Sequence, residues 1–345
     1  LIFKQASGTS RGVLTTKETY LLEISKNGQK GIGECAIFRG LSYDDVPDYE
    51  EKLTWLCENI NLDFEVLKKE LLHYPSIIFG LEQALLNLQH GEDLYFPSDF
   101  TDGKDSIKIN GLIWMGNADF MQSQIEEKLA KGFDCIKLKI GVDWKSEKEI
   151  IKKLREKFPK EQLELRVDAN GAFSYEEATI VLQELADLGI HSIEQPIKKS
   201  EVRSPKSEEN SEKKSTDCCI PWNKMARLCA ETPTPIALDE ELIGIIDFEE
   251  KKKLLETIKP QYIILKPALV GGFSGSDEWI AIAESLGINW WITSALESNI
   301  GLNAICQYTY TKKNPLPQGL GTGALFTNNF ETHLQLEGDQ MWHKK

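Results

Sequence analysis

Several features that would direct this 345-residue chain to a membrane or to nucleic acid are missing from its sequence. No apolar run reaches the roughly 18 to 20 residues of a membrane-spanning helix, and the first residues, LIFKQASG, do not form a signal-peptide pattern. Positive charge is also scarce, because 54 acidic side chains outnumber 40 basic ones and the net charge is −14. A surface of that sign disfavours nucleic-acid binding. The sequence therefore predicts a cytoplasmic protein that binds neither membranes nor nucleic acids.

The cysteine and histidine patterns that are typical of zinc sites are missing as well. The seven cysteines include no CxxC pair, and no histidine lies at zinc-ligand spacing from any of them. An odd number of cysteines cannot pair completely within one chain. We therefore expect reduced cysteines that pack as small apolar side chains.

What the sequence does contain is an alternation of short apolar strands and amphipathic helices from Ser106 onward. Strand-like runs end near positions 113, 140, 168, 195, 239, 266, 294 and 320, and helical patterns separate them. Alternating strands and helices form parallel sheets, and about eight units of roughly 30 residues close into a barrel. We predict an α/β fold, a (β/α)7β TIM-like barrel over residues 105–318.

The residues on either side of this region follow other patterns. Strand-like runs flank Asn27 and Gly28, which predicts a hairpin with a tight turn. Three helical segments follow, at 49–60, 63–72 and 76–90. Ser76 is the expected N-cap of the third. We predict an α+β capping domain over residues 1–104, and we expect the C-terminal segment, 319–345, to return to it.

Charged residues close five of the apolar strands at nearly regular intervals. They are Lys137 and Lys139, then Asp168, Glu194, Asp239 and Lys266. The intervals are 29 residues (139 to 168), 26 (168 to 194), 45 (194 to 239) and 27 (239 to 266), so only the third departs from the roughly 30 residues of a βα unit. That interval contains residues 198–217, a charged tract with one aliphatic side chain. We expect this insertion to be disordered.

The three carboxylates of this series suggest a metal site. The carboxyl ends of barrel strands meet at one mouth, so Asp168, Glu194 and Asp239 are expected to converge there. They offer only oxygen ligands, which Mg²⁺ prefers, and a bound dication would offset their mutual repulsion. A single aspartate at a strand end is more often a helix N-cap. Three successive strand ends that finish in a carboxylate favour the metal.

The lysines suggest a base. Lys137 and Lys139 are two residues apart and share one face of their strand, so each is expected to lower the pKa of the other; the alternative is an edge strand made soluble by lysines. Lys266 is expected across the barrel from Lys139, or else in a salt bridge with Asp239 or Glu241. Lysines on two faces of a planar intermediate suit proton abstraction next to a carboxylate, because a divalent metal stabilises the enediolate that results.

The ordered series KxK, Asp, Glu, Asp, Lys resembles the enolase superfamily, in its muconate-lactonizing-enzyme-like subgroup, over nearly the whole chain. The resemblance implies a Mg²⁺-dependent enzyme, with Mn²⁺ as a substitute ion, and a small-molecule carboxylate as substrate. Residues 75–88, 294–302 and 318–326 resemble the branch that forms o-succinylbenzoate. That likeness implies a carbon–oxygen lyase, which carries out syn-dehydration of 2-succinyl-6-hydroxy-2,4-cyclohexadiene-1-carboxylate in menaquinone biosynthesis.

The resemblance also implies roles for single residues. Lys139 would remove the α-proton and return it to the leaving hydroxyl, Lys266 would stabilise the anion from the opposite face by a cation–π contact, and Lys137 would tune Lys139. The implied metal ligands are Asp168, Glu194 and Asp239. The substrate-binding candidates are Arg166, Ser294, Gly319 and Thr322, with Asn170 and Glu240 in supporting positions. For Arg166 a salt bridge in the barrel core is the alternative, and for Asn170 a role in the turn before Gly171.

Two alternatives to the lyase have to be weighed, one of them another enzyme and the other a barrel that only binds a ligand. An N-succinylamino-acid racemase or dipeptide epimerase would use Lys139 and Lys266 as bases on opposite faces, and spacing does not separate it from the lyase. A catalytically silent binding barrel should have lost a ligand or a lysine, and none is lost. Loops 8–19 and 36–45 of the capping domain, with Arg11, Phe38 and Arg39, are expected to close over the mouth. The oligomeric state is left open.

Overall fold

The computed structural model describes residues 1–9, 12–199 and 222–344. Most of the insertion at 198–217, including its predicted disorder, therefore lies outside the described residues. The chain begins with an antiparallel strand pair, β1 (Ile2–Thr9) and β2 (Gly12–Thr16), which is followed by the hairpin of β3 (Tyr20–Lys26) and β4 (Gln29–Cys35). Asn27 and Gly28 have φ values of 53° and 80°, which confirms the predicted tight turn.

Three helices follow the hairpin and pack against it. They are α1 (Tyr49–Asn59), α2 (Phe64–Glu70) and α3 (Pro75–His90). Helix α3 lies directly on β4, because a Cβ atom at Gly33 would come within 1.9 Å of the Gly80 carbonyl oxygen. The expectation that Ser76 caps α3 is wrong. Pro75 begins the helix, with its fixed φ, and Ser76 lies inside it, where its backbone N and Oγ donate to Asp44 Oδ2 at 2.9 and 2.6 Å.

A parallel sheet of seven strands forms the centre of the molecule. The predicted first strand is divided, because β5 (Ile107–Lys108) leaves this sheet for another. The seven strands are β6 (Gly111–Ile113), β7 (Cys135–Lys139), β8 (Glu164–Asp168), β9 (Ser192–Glu194), β10 (Ile236–Leu238), β11 (Tyr262–Leu265) and β12 (Asn289–Ile292), in sequential order across the sheet. Their ends agree with the predicted ones to within a few residues.

Helices connect these strands and cover the outside of the sheet. They are α4 (Ala118–Ala130), α5 (Trp144–Lys157), α6 (Tyr175–Asp187), α7 (Asn223–Glu231), α8 (Phe248–Ile258), α9 (Pro267–Val270), α10 (Gly272–Ser285) and α11 (Asn299–Thr311). Helix α5 buries Ile150, Ile151 and Leu154, the apolar face that its period predicts. Helix α6 begins with a capping box between Ser174 and Glu177.

A two-residue segment, Gln318–Gly319, joins the first and last strands of the sheet. Gln318 forms a parallel bridge with Ile109, beside β6, and Gly319 forms one with Thr293, directly after β12. The Asn110 backbone N–H donates to the Gln318 carbonyl at 2.9 Å, and the Gly319 N–H donates to the Ile292 carbonyl at 2.8 Å. The sheet therefore closes on itself, and the fold is an α/β barrel-like one.

The C-terminal segment pairs in two places. Near its start, the Lys4 N–H donates to the Leu325 carbonyl at 2.8 Å and the Thr327 N–H to the Ile2 carbonyl at 2.9 Å, so this part joins β1 as expected. The final hairpin, β13 (Leu334–Glu337) and β14 (Gln340–His343), pairs instead with β5. For the hairpin the expected pairing with the capping segment is wrong, because β5 presents a free edge next to it.

The structure can be compared with two expectations drawn from the composition, on membrane-spanning helices and on cysteines. Within the described ranges, no helix is both long and apolar enough to span a membrane. The described cysteines are free thiols; Cys35, Cys135 and Cys306 are buried, whereas Cys57 is exposed. Cys218 and Cys219 lie outside the described residues.

Candidate active site

Adjacent strand ends bring the predicted charged residues together. Lys139 is paired in register with Asp168, and Asp168 with Glu194, so these three side chains stand side by side at the ends of β7, β8 and β9. Asp239 directly follows β10, and Lys266 directly follows β11. All three carboxylates are buried, with 2% of each residue exposed. The expected convergence at one mouth is present in the structure.

Lysine ammonium groups lie between the carboxylates. Lys137 Nζ is 2.5 Å from Glu194 Oε2 and 3.8 Å from Asp168 Oδ2, while Lys139 Nζ donates to Asp168 Oδ2 at 2.8 Å. Lys266 Nζ donates to Asp239 Oδ2 and lies 3.9 Å from Glu194 Oε1. The salt bridge that was considered for Lys266 is therefore formed, with Asp239. Each carboxylate is held by at least one lysine.

The pKa values in this cluster reflect burial and charge together. For Lys137, burial acts to lower the pKa, but the charges of Glu194 and Asp168 outweigh it and raise the pKa. For Lys266, burial is likewise outweighed, by Asp239 and Glu194, and the pKa rises. The protein groups alone therefore raise the pKa of Lys137, whereas the lowered pKa was expected for lysines beside a bound dication.

The carboxylates respond differently to the same surroundings. Burial acts to raise the pKa of Asp168, but Lys139, Lys137 and Lys266 together lower it to about 2. For Glu194, burial and the neighbouring Asp168 charge raise the pKa to about 7 in spite of Lys137. Negative charge at Glu194 is therefore incompletely compensated by the protein.

A cavity opens above these residues. It contains about 770 Å³ of empty space, including open solvent at its mouth. Lys137, Lys139 and Lys266 line it together with Asp168 and Glu194, whereas Asp239 lies behind Lys266 and does not form part of the wall. The cavity therefore presents three ammonium groups to a ligand, together with three carboxylates, because Glu240 lines it as well.

The donor set fits a divalent cation. Glu194 Oε1 is buried and accepts no hydrogen bond from any described residue, and Asp168 and Asp239 supply further carboxylate oxygens beside it. Hard oxygen ligands suit Mg²⁺. The oxygens of these three carboxylates do not, however, all lie within 4.8 Å of one another. In the part of the chain that the structure describes, the one set of three candidate ligand groups within 4.8 Å of one another is Asp93, His333 and His343. An ion among the carboxylates would have to replace a lysine ammonium group.

Three of the four predicted substrate-binding residues line the cavity. They are Ser294, Gly319 and Thr322. Ser294 Oγ and Thr322 Oγ1 share a hydrogen bond of 2.6 Å, so the loop after β12 and the loop after Gln318–Gly319 form one polar wall. Gly319 admits no side chain, because a Cβ atom there would lie 2.2 Å from Thr293 Oγ1.

Arg166, the fourth candidate, does not line the cavity. It is 1% exposed, its Nε donates to Glu164 Oε1 at 2.7 Å, and its Nη1 donates to the Pro317 carbonyl at 2.8 Å. Its guanidinium also stacks over Trp291 at 4.3 Å. Arg166 shares the inward face with Asp168, but two residues along a strand place it about 6–7 Å further from the mouth. The structure therefore contains the salt bridge that was the alternative for Arg166 and does not place this side chain in the cavity wall.

Asn170 and Glu240 both line the cavity and are hydrogen-bonded to each other. Asn170 Oδ1 accepts from Lys139 Nζ at 2.6 Å, and its Nδ2 donates to Glu240 Oε1 at 3.1 Å. Asn170 also has a positive φ of 45°, so it forms the turn before Gly171 as well. Glu241 lies deeper and accepts from Gln195 Nε2 at 3.1 Å. Lys139 is therefore oriented by two acceptors, Asp168 and Asn170.

The loop that contains Phe38 also contributes to the cavity. Phe38 and Leu41 line it, as expected for a segment that closes over the mouth. Arg39 does not, because its two terminal nitrogens donate to Asp45 Oδ1 at 2.8 Å and to Glu18 Oε1 at 2.5 Å. Arg11 lies outside the described residues.

Several wall residues were missed by the sequence reasoning. Asn110, Leu112 and Trp114 line the cavity from β6 and its flanks. Their spacing of two was a usable signal, because alternate residues of a strand share a face. Leu296 and Ala295 add to the wall after β12. Their loop follows no secondary-structure period, and the only signal for it was that residues 294–302 resemble the family.

Comparisons with known proteins agree with this geometry. A family model described as enolase C-terminal domain-like matches residues 121–207 and 217–340. The chain belongs to this family, and with it to the enolase superfamily.

Individual relatives narrow the comparison. The chain is 42% identical to an o-succinylbenzoate synthase from Desulfotalea psychrophila, over 98% of this chain and 95% of that protein. A crystal structure of MenC from the same organism superposes with a TM-score of 0.83 at 39% identity, covering 99% of this chain and 97% of that one. An N-succinylamino acid racemase from Thermus thermophilus is 33% identical, over 85% of this chain and 75% of that protein.

Proposed function

We propose that this protein catalyses the dehydration of 2-succinyl-6-hydroxy-2,4-cyclohexadiene-1-carboxylate to o-succinylbenzoate, a carbon–oxygen lyase reaction of menaquinone biosynthesis. The observation that carries the proposal is the 42% identity, over 98% of the chain, to a relative with that activity. The site is complete for it, because every lysine and carboxylate of the series surrounds one cavity or directly supports its wall.

The proposed metal ligands are Asp168, Glu194 and Asp239. Their support is the buried Oε1 of Glu194, which accepts no hydrogen bond from the described residues, the position of all three at neighbouring strand ends, and the raised pKa of Glu194, which a cation would lower. Mg²⁺ is the proposed ion, with Mn²⁺ as a substitute. When bound, it would supply a positive charge that stabilises the enediolate form of the substrate carboxylate.

Lys139 is the proposed base and acid. Asp168 Oδ2 and Asn170 Oδ1 hold its Nζ at 2.8 and 2.6 Å, which aims the nitrogen across the cavity. Neutral Nζ takes the proton from the carbon α to the ring carboxylate, and the C–H electron pair delocalises into that carboxylate to give the enediolate. This pair then forms the new C=C bond of the ring as the C–O bond breaks, and the hydroxyl leaves as water with the proton that Nζ returns. One lysine serves both steps, so hydrogen and hydroxyl leave from the same face.

Lys266 and Lys137 have supporting roles in this proposal. Lys266 lines the same cavity but is held by Asp239, so it presents positive charge to the ring from another wall. Lys137 lies between Asp168 and Glu194 and sets the charge around Lys139. Neither lysine needs to exchange a proton with the substrate.

The remaining walls determine the fit of the substrate. Ser294 and Thr322 are proposed to hydrogen-bond the polar end of the succinyl chain, beside Gly319. Phe38, Leu41 and other apolar residues would exclude water from the ring. We further propose that the architecture is a (β/α)7β barrel over 105–318, with a capping domain at 1–104 and a C-terminal segment at 319–345. The closing segment Gln318–Gly319 and the separate apolar core of the N-terminal helices support this division.

A second candidate activity is racemisation of N-succinylamino acids. The 33% identity to the Thermus thermophilus racemase favours it specifically. In that reaction Lys139 and Lys266 would each exchange a proton with the same carbon from opposite sides. The ion pairs of the two lysines do not separate the activities, because Lys139 donates to Asp168 just as Lys266 donates to Asp239.

The test is an assay of the purified, Mg²⁺-loaded protein with the cyclohexadiene carboxylate, following the absorbance of the aromatic product. We expect turnover that requires the metal and disappears in Lys139→Ala. Deuterium uptake into N-succinylamino acids in D₂O is measured in parallel with wild type and Lys266→Met. Aromatic product without deuterium uptake supports the lyase. Deuterium uptake without aromatic product would show that the racemase assignment is the right one.

A further inference from the structure

Two of the five histidines converge on one aspartate far from the cavity walls. Asp93 lies in the loop after α3, His333 directly precedes β13, and His343 ends β14. His333 Nδ1 is 2.6 Å from Asp93 Oδ2, and His343 Nε2 is 3.2 Å from the same oxygen. One carboxylate oxygen thus meets two imidazole nitrogens.

The orientation of His343 turns its Nε2 toward Asp93. Its Nδ1 lies 3.2 Å from the Thr101 carbonyl oxygen, which can only accept, so Nδ1 carries the hydrogen. The 3.2 Å contact between Nε2 and the Asp93 carboxylate can then be filled by a second ring hydrogen or by a metal cation. An imidazole that donates its far N–H to a backbone carbonyl is also the usual arrangement of a metal-bound histidine.

The surroundings hold the three ligands in place. His343 is fully buried against the ring of Phe100. The Asp93 backbone carbonyl accepts from Asn303 Nδ2 at 2.9 Å and from Gln307 Nε2 at 2.8 Å. Asp93 Oδ1 is buried and has no hydrogen-bond partner among the described residues. The cluster therefore offers a carboxylate with one oxygen unused and the other shared.

We propose that Asp93, His333 and His343 form a binding site for a divalent transition-metal ion of the Zn²⁺ class, distinct from the carboxylate site in the barrel. Their candidate ligand atoms all lie within 4.8 Å of one another. Tetrahedral ligands at roughly 2.0–2.1 Å from Zn²⁺ are about 3.3 Å apart. The 3.2 Å contact of His343 already matches this spacing, and the 2.6 Å contact of His333 needs to open by about 0.7 Å.

The half-exposed side chain of His333 gives the ion a path from solvent, and water would complete its coordination. The ligands come from two separated parts of the chain, the loop after α3 and the C-terminal hairpin. Binding would therefore fasten the hairpin to that loop. The proposed role is structural, and it does not depend on the proposed lyase activity.

The test uses the full-length protein, stripped with a chelator and then returned to excess Mg²⁺, which is titrated with Zn²⁺ by calorimetry. We expect one Zn²⁺ per chain at this site and a higher unfolding midpoint when Zn²⁺ is added. His333→Ala should weaken Zn²⁺ binding at least tenfold, since even loss of a partner behind a ligand costs about 10- to 100-fold. His73→Ala, which removes an exposed histidine elsewhere, is the matched control and should bind as wild type does.

His333→Ala is preferred to His343→Ala, because loss of a fully buried ring can prevent folding. Turnover with Mg²⁺ should be unchanged in His333→Ala, which separates this site from the barrel site. Substitution with Co²⁺ gives a second readout, since histidine and carboxylate ligands produce visible d–d bands without the charge-transfer band of a thiolate. Absence of Zn²⁺ binding, equal binding by His333→Ala, or a thiolate band that persists in that variant would each overturn the proposal.

Discussion

Replacing Lys266 by methionine removes the positive partner of a buried carboxylate. Lys266 Nζ donates to Asp239 and is 3.9 Å from Glu194 Oε1, and its side chain is only 14% exposed. Removing one partner of a buried ion pair costs about 3–5 kcal/mol. The unfolding entropy of 345 residues is about 0.7 kcal/mol/K, at roughly 2.1 cal/mol/K per residue. Lys266→Met should therefore lower the midpoint of thermal unfolding in chelator by about 4–7 °C.

The same variant should respond more strongly to Mg²⁺ than wild type does. Under the proposed assignment of Asp239 as a metal ligand, the ammonium group of Lys266 would compete with the metal for Asp239 in wild type. Without that group, the ion alone compensates the carboxylate, so added Mg²⁺ should recover part of the lost stability. The assay is differential scanning calorimetry of wild type and variant, each in chelator and in excess Mg²⁺. The quantity of interest is the difference between the two Mg²⁺-induced rises in midpoint.

A matched control is needed to separate the general effect of removing a buried lysine from the specific effect of removing Lys266. Lys251 is buried on α8 and donates to Glu278 Oε2 at 2.7 Å, outside the cavity wall. Lys251→Met should also lower the midpoint, but its response to Mg²⁺ should match that of wild type. If Lys266→Met and wild type gained the same number of degrees from Mg²⁺, the reasoning that Asp239 exchanges a lysine for a metal would be refuted.

Three further predictions concern single side chains. Lys139→Ala should lower kcat by at least the roughly 10²–10⁴-fold of a lost general base, with Mg²⁺ affinity by calorimetry intact; undiminished turnover would contradict its role. Arg166→Met should lower the free energy of unfolding in urea by about 1–3 kcal/mol with no change in KM. A raised KM would instead indicate that Arg166 contacts the substrate. Burial raises the pKa of Glu82 from 4.5 to about 7, so the folded protein binds the extra proton between these values and its stability falls as pH rises through them. Glu82→Gln should remove roughly 3 kcal/mol of that fall, and identical pH profiles of unfolding would refute the assignment.

The strand ends could be predicted from sequence because two independent signals coincide there. An apolar run marks the strand, and a charged residue breaks it where the chain reaches the mouth, as at Asp168 and Glu194. Parallel neighbours in sequential order then place these ends side by side with no further information. The convergence of lysines and carboxylates follows from this local pattern alone.

Other features depend on contacts that have no local signal. Arg166 has the same strand parity as Asp168, and only its depth in the barrel decides between substrate and core. The division between β5 and β6 depends on β14, which lies more than two hundred residues along the chain. The charge state of Lys137 follows from Glu194, on a strand two places away in the sheet. Sequence spacing states which residues can meet, and tertiary packing decides which of them do.

The segment Gln318–Gly319 both closes the sheet and lines the cavity, so the two roles are difficult to change separately. Gln318 Oε1 accepts from the Ile292 N–H at 2.8 Å and fastens the last strand, while Gly319 next to it forms part of the polar wall with Thr322. Remodelling this wall for a new ligand would therefore risk opening the cylinder itself. Phe38 and Leu41 belong to a loop outside the cylinder, and substitutions there do not affect its closure. Divergence toward new substrates should thus accumulate in this loop, while Gln318–Gly319 stays unchanged.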